Sequence, residues 1–61
     1  MKIMFKIGDS VYAVQNIGAE VDELQVGKVI DVLEEWQPFP YIVDFNTGHN
    51  MPCKEKEIAL V

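Results

Sequence analysis

Glu20-Val21-Asp22-Glu23-Leu24-Gln25-Val26-Gly27-Lys28-Val29-Ile30-Asp31-Val32-Leu33-Glu34-Glu35-Trp36 can be read in two ways, and the choice between them sets the fold. Val26, Ile30, Leu33 and Trp36 recur at helical spacing, and with Val21 and Val29 they mark one face of a helix over 20–36. Gly27 opposes that helix by about 1 kcal/mol relative to Ala, and Val29, Ile30 and Val32 add smaller penalties through their restricted χ1. The same β-branched residues favour an extended chain. Residues 27–33 are therefore expected to form a strand and 15–26 a long irregular loop, with an α+β domain carrying a helix near 20–36 as the alternative.

The flanking segments share the extended pattern. A first strand is expected over 10–14, after a Gly8-Asp9 turn in which glycine supplies backbone freedom and the Asp9 carboxylate accepts from nearby backbone. Met4, Phe5 and Ile7 before it are expected to anchor the N-terminal segment on the core. A third strand over 41–45 turns Tyr41, Val43 and Phe45 to one face and Ile42 and Asp44 to the other. Trp36-Gln37-Pro38-Phe39-Pro40 connects the second and third strands, because two prolines exclude a regular helix or central strand. Asn46-Thr47-Gly48-His49-Asn50 is a turn. A short fourth strand near 51–54, a polar turn at Glu55-Lys56-Glu57 and a last strand over 58–61 complete the pattern. Within the loop 15–26, Ile17, Val21 and Leu24 are isolated apolar residues that can fold it against the body.

The chain has 61 residues, 49% of them hydrophobic and 25% charged, which suits one small globular domain spanning 1–61. Ten acidic against five basic residues leave a net charge of -5, which repels phosphate backbones and disfavours nucleic acid. The one cysteine, Cys53, has no partner for an internal disulfide and suggests a reducing, cytoplasmic setting. No apolar run approaches the ~20 residues of a membrane helix, and residues 1–7, with Lys2 and Lys6, are too short a pattern for a signal peptide.

Val11 and Val14, and again Val29 and Val32, form apolar pairs three residues apart, each following a glycine: Gly8-Asp9-Ser10-Val11 and Gly27-Lys28-Val29. Such spacing breaks strict alternation, and a β-bulge or sharp strand bend turns both members inward, as small barrels require. The succession Gly-Asp-x-Val, long loop, Gly-x-Val-x-x-Val, loop, Tyr-x-Val-x-Phe, polar turn and Glu-Ile-x-Leu resembles the SH3-like barrel superfamily from about Ile7 to Val61. The resemblance implies a strongly bent, five-stranded all-β barrel. It extends to the small barrel of the photosystem I subunit, to Tudor and polymerase-binding Tudor-like modules, and to KOW elements, so it implies binding to a partner without naming one.

Catalytic chemistry is not expected. Ser10, Thr47 and Cys53 are the nucleophile candidates and His49 is the one histidine, and no third group orients a Cys53–His49 pair. One Cys and one His fall short of a four-ligand zinc site, and the paired carboxylates Asp22/Glu23 and Glu34/Glu35 lack the ligand spacing of a calcium loop, so no metal or cofactor is expected. The expected role is that of a small acidic protein-binding module acting as a subunit, regulator or inhibitor of a larger protein, in size and charge similar to phage-encoded inhibitors of host proteins. Its contact candidates are Trp36 and Phe39, large aromatics stiffened by flanking prolines, and the acidic set Glu20, Asp22, Glu23, Glu34 and Glu35 facing a basic partner. Tyr12 joins them as one wall of an aromatic cage for a cationic side chain, with Trp36, Phe39 and Tyr41. Either aromatic of the 36–40 connection has an alternative use in capping one end of a thin core. The competing class is an accessory domain of nucleic-acid machinery touching DNA or RNA through Lys2, Lys6, Lys28, Lys54 and Lys56.

Overall fold

A computed structural model describes residues 4–61. Its strands are β1 (Ser10–Ala13), β2 (Val26–Val32), β3 (Tyr41–Asp44), β4 (Met51–Cys53) and β5 (Ile58–Leu60), with one 3₁₀ turn, Glu55–Glu57, before β5. All five are antiparallel in a single sheet of order β4-β3-β2-β1-β5. The all-β architecture expected from the sequence is present. The helix over 20–36 is not: among the described residues no α-helix occurs, and β2 occupies its centre. Gly27 and the β-branched residues withhold helix propensity there, while β1 and β3 offer ladder partners on both sides.

Residues from every strand meet in one core: Val11 and Ala13 of β1, Val29 of β2, Tyr41 and Val43 of β3, Cys53 of β4 and Ile58 of β5, joined by Phe5, Ile17, Val21 and Phe45. A flat sheet with no second layer exposes both faces, so one sheet burying a face of each strand against the others must curl upon itself. The curl does not close. β4 and β5 are the two edges of the sheet. Pro52, at the centre of β4, lacks an N–H and blunts one of them.

The bulge expected in β2 lies between Val29 and Asp31, leaving Ile30 unpaired against β3. It lets Val29, fully buried, and Val32, packed against the core, share the inner face despite their spacing of three. β1 does not repeat the device. Val11 and Ala13 alternate inward and Val14 lies 36% exposed beyond the strand, because β1 keeps a regular register with β2 on one side and β5 on the other. The inward face of 41–45 is as expected, with Tyr41, Val43 and Phe45 buried.

Of the three expected anchors Met4, Phe5 and Ile7, Phe5 is the one that is buried, packed edge-on against Tyr41 with ring centroids 5.1 Å apart, while Met4 and Ile7 are exposed. Asp9 acts as expected for a turn carboxylate. Its Oδ2 accepts from the Lys6 N–H at 3.0 Å, and its own N–H donates to the Lys6 carbonyl at 3.0 Å.

Candidate protein-contact surfaces

The connection 33–40 leaves the sheet at the end of β2 and returns at the start of β3. The Leu33 N–H donates to the Pro40 carbonyl at 2.7 Å and closes its base, and the Gln37 N–H donates to the Glu34 carbonyl at 3.0 Å within it. Trp36 is 74% exposed and Phe39 41% exposed, so neither is drawn into the core. Capping by these aromatics, the alternative weighed from the sequence, is set aside: Phe5 and Tyr41 supply buried aromatic mass instead.

Beside this connection lies a groove of about 550 Å³, bounded on one side by Leu33, Glu34, Glu35 and Pro38 and on the other by Lys54, Glu55 and Lys56. That volume falls in the range of small-ligand and side-chain pockets, ~300–1,000 Å³. Lys54 reaches back over the Phe39 ring, its Nζ 5.1 Å from the centroid, and so joins the two walls by a cation–π contact. Within the second wall, the Lys54 N–H donates to Glu57 Oε1 at 2.8 Å and the Glu57 N–H to the Lys54 carbonyl at 3.0 Å, which holds the 3₁₀ turn. The contribution of 54–56 was not apparent from the sequence, because it depends on β4 pairing with β3, which sets Cys53 opposite Tyr41 and carries the chain on beside Pro40.

The acidic candidates divide between two places. Glu34 and Glu35 line the groove. Glu20, Asp22 and Glu23 belong to the loop 14–25, which precedes β2, whereas the groove follows it. Six steps along an extended strand put the two sets on the order of 20 Å apart. The strand therefore keeps them from forming one patch. Glu20 Oε1 meets His49 Nε2, tying this loop to the turn after β3, and that is the one contact between an acidic and a basic side chain among the described residues. The pair is exposed on both sides and contributes little to stability.

Ile17 and Val21 form an isolated antiparallel bridge with both side chains buried, folding the loop inward as its apolar residues suggested; Leu24, the third, stays outside. Asn16 Oδ1 accepts from the Glu23 N–H at 2.8 Å, and Gln25 Oε1 from the Asp22 N–H at 3.1 Å, while Gln25 Nε2 donates to the Phe45 carbonyl at 3.1 Å.

Tyr12 lies on the outer face of β1, half-buried, with Val26 opposite it on β2 and Ala59 opposite it on β5. Tyr41 is buried, its hydroxyl accepting from the Met4 N–H at 3.2 Å, so it is no wall of an aromatic cage. Among the lysines, Lys28 stands opposite Asp44, Lys54 and Lys56 flank Glu55 in the groove, and Lys2 lies outside the described residues.

Cys53 is fully buried, and burial, then the neighbouring Glu57 carboxylate, push its thiol up to about 12 from an ordinary 9.0. Its Sγ donates weakly to the Met51 carbonyl at 3.5 Å. A thiol in that state is a core side chain and a poor nucleophile at neutral pH. Among the described residues, no group of three or more His, Cys, Asp or Glu is placed to hold a metal ion, and no helix is long and apolar enough to cross a membrane.

Compared with protein-family models, with curated proteins and with solved structures, the chain matches none.

Proposed function

We propose that this chain is a small acidic protein-binding module on an SH3-like barrel, acting in the cytoplasm as a subunit, regulator or inhibitor of a larger protein, with Trp36 and Phe39 as its principal contacts. The observation that carries the reading is the exposure of Trp36 on a short, prolyl connection beside a groove. A large aromatic in water costs free energy that a monomer recovers by folding it inward, and here the chain holds it outward. Trp is among the residues that dominate interface energetics, and the two prolines and the Leu33–Pro40 hydrogen bond lower the entropy lost when the connection is immobilised.

Direct nucleic-acid contact is supported less well. The described lysines are divided among the N-terminal segment, the centre of β2 and the groove, and carboxylates stand beside them, Asp44 opposite Lys28 and Glu55 between Lys54 and Lys56. Phosphate binding needs cations gathered along one track.

Partner capture from the source cell with wild type and with a Trp36→Ala, Phe39→Ala double variant tests the proposal. The expected result is loss of a specific partner while the circular dichroism spectrum is retained. Identical partners from a folded double variant refute it, and salt-sensitive binding of a labelled oligonucleotide at physiological ionic strength favours the nucleic-acid reading in its place.

A further inference from the structure

Leu24 occupies a position that both its backbone and its surroundings make unfavourable for leucine. Its φ of +73° lies in the left-handed region, where a Cβ crowds the following carbonyl and which bulky residues rarely adopt. Hydrogen bonds hold it there. The Gln25 N–H donates to the Asp22 carbonyl at 3.0 Å, closing a turn in which Leu24 is the third residue. The Leu24 N–H donates to the Ala13 carbonyl at 2.7 Å and the Ala13 N–H to the Gln25 carbonyl at 3.0 Å, a bulge against the end of β1 whose left-handed position commonly belongs to glycine. Nothing is recovered by burial, since Leu24 is 68% exposed. Two residues on, Val26 is 57% exposed at the start of β2, and Tyr12 stands directly opposite it on the same outer face.

We propose that Leu24, with Val26 and Tyr12, forms a second protein-contact surface, separate from Trp36 and the groove beside the 33–40 connection, whose occupant is a polypeptide segment carrying an apolar side chain flanked by lysine or arginine. The apolar part of the occupant answers Leu24 and Val26. Its charge follows from complementarity: residues 14–25 contain Glu20, Asp22 and Glu23 and no lysine or arginine, Asp22 and Glu23 make no ion pair among the described residues, and Lys28, two residues beyond Val26 on the outer face, stands opposite Asp44, so the surface stays acidic. A second copy of the chain, also at net charge -5, is repelled by the same residues. The buried Ile17–Val21 bridge and the Asn16 and Gln25 side-chain bonds hold the loop in one conformation before binding, so little ordering remains to be done. Backbone strain of this kind clusters at ligand-contact and switch sites, and here it holds an apolar side chain out toward a partner.

Two measurements on Leu24→Gly test this. Thermal unfolding is expected to show a midpoint unchanged or raised by about 4 °C, since glycine relieves the left-handed position. A fall of more than about 4 °C means that leucine serves the fold, and overturns the proposal. In amide NMR spectra at low salt, a nonapeptide of alternating lysine and leucine is expected to shift Tyr12 and residues 22–26 of wild type, with at least a fivefold weaker effect on Leu24→Gly and in 0.5 M salt. Equal shifts from a glutamate–leucine peptide or from an all-lysine peptide, shifts confined to 33–40, or an undiminished response of Leu24→Gly each overturn it. Trp36→Ala is expected to leave the response at 22–26 intact, so failure of the groove reading and failure of this one are told apart; loss of that response in Trp36→Ala means one shared surface and overturns the proposal of a second.

Discussion

Replacing Gly27 by alanine probes the tightest glycine position of the curled sheet. Position 27 faces inward from β2, opposite Val11 of β1, and a methyl carbon there would lie 2.7 Å from Cδ1 of Phe45, 2.8 Å from the Asp44 carbonyl oxygen and 2.9 Å from Cγ1 of Val43. All three distances are far inside van der Waals contact. Phe45 and Val43 are buried and have nowhere to retreat, and the Asp44 carbonyl belongs to the β3 backbone opposite Lys28. The added methyl therefore has to push β2 and β3 apart. Where space allows, Gly→Ala in a strand gains about 0.5–1 kcal/mol through backbone entropy, so the sign of the effect is itself diagnostic. Overpacking of a filled core costs ~1–3 kcal/mol. A domain of 61 residues has a total stability of ~3–9 kcal/mol, so a loss of ~1–3 kcal/mol in Gly27→Ala is a substantial part of it and is expected to lower the thermal midpoint by roughly 4–24 °C. Far-UV circular dichroism during urea or thermal unfolding is the appropriate assay, because the one tryptophan is already in water and its emission changes little on unfolding. Gly48→Ala is the control: its φ of +101° makes alanine strained, but nothing lies within 4 Å, so its cost of about 1 kcal/mol is conformational alone. Combining Gly27→Ala with Phe45→Leu is expected to restore only part of the loss, since the Asp44 oxygen stays at 2.8 Å. A Gly27→Ala protein as stable as wild type, or more stable, refutes the packing argument.

Phe45→Ala is expected to cost about 3–5 kcal/mol and leave much of the chain unfolded at room temperature by circular dichroism, whereas Trp36→Ala changes stability by less than about 0.5 kcal/mol. Cys53 in the folded protein is expected to react with a thiol reagent at neutral pH far more slowly than in urea; equal rates would contradict its burial. Its raised value also predicts alkaline sensitivity. The neutral thiol is favoured in the folded state, so its contribution is complete below pH 9.0 and is lost between pH 9.0 and about 12. Urea titrations of wild type and Cys53→Ala across that range are expected to converge, because the variant lacks this one titration while sharing the tyrosines and lysines. Glu20→Gln removes the charge from the exposed pair with His49 and is expected to cost less than about 1 kcal/mol, read from the urea midpoint.

Local chemistry alone made the strands legible. β-branched residues around Gly27, the alternation of Tyr41, Val43 and Phe45, and the Gly8-Asp9 and Asn46–Asn50 turns are short-range signals, and each marks an element that is present. The bulge in β2 was legible for the same reason, as a break in a period of two. Val14 does not repeat it, because β1 ends at Ala13 with its register to β2 and to β5 unbroken, and pairing is not written in either strand separately.

The exposed aromatics at 36–40 were legible as surface residues because proline excludes that segment from the ladder, but their exposure as against a capping role depended on whether Phe5 and Tyr41 already filled the core. Separation of the acidic residues into two groups required the length and direction of β2. The groove required β4 to pair with β3, which sets 54–56 against 33–40. Leu24 read as one more loop leucine, since nothing in its neighbours' identities reveals a positive φ. Composition, charge and strand periodicity are properties of the chain taken a few residues at a time, and the sequence by itself determined them. Which side chains share a surface depends on hydrogen-bond pairings between residues tens of positions apart, and only the curled sheet decided that.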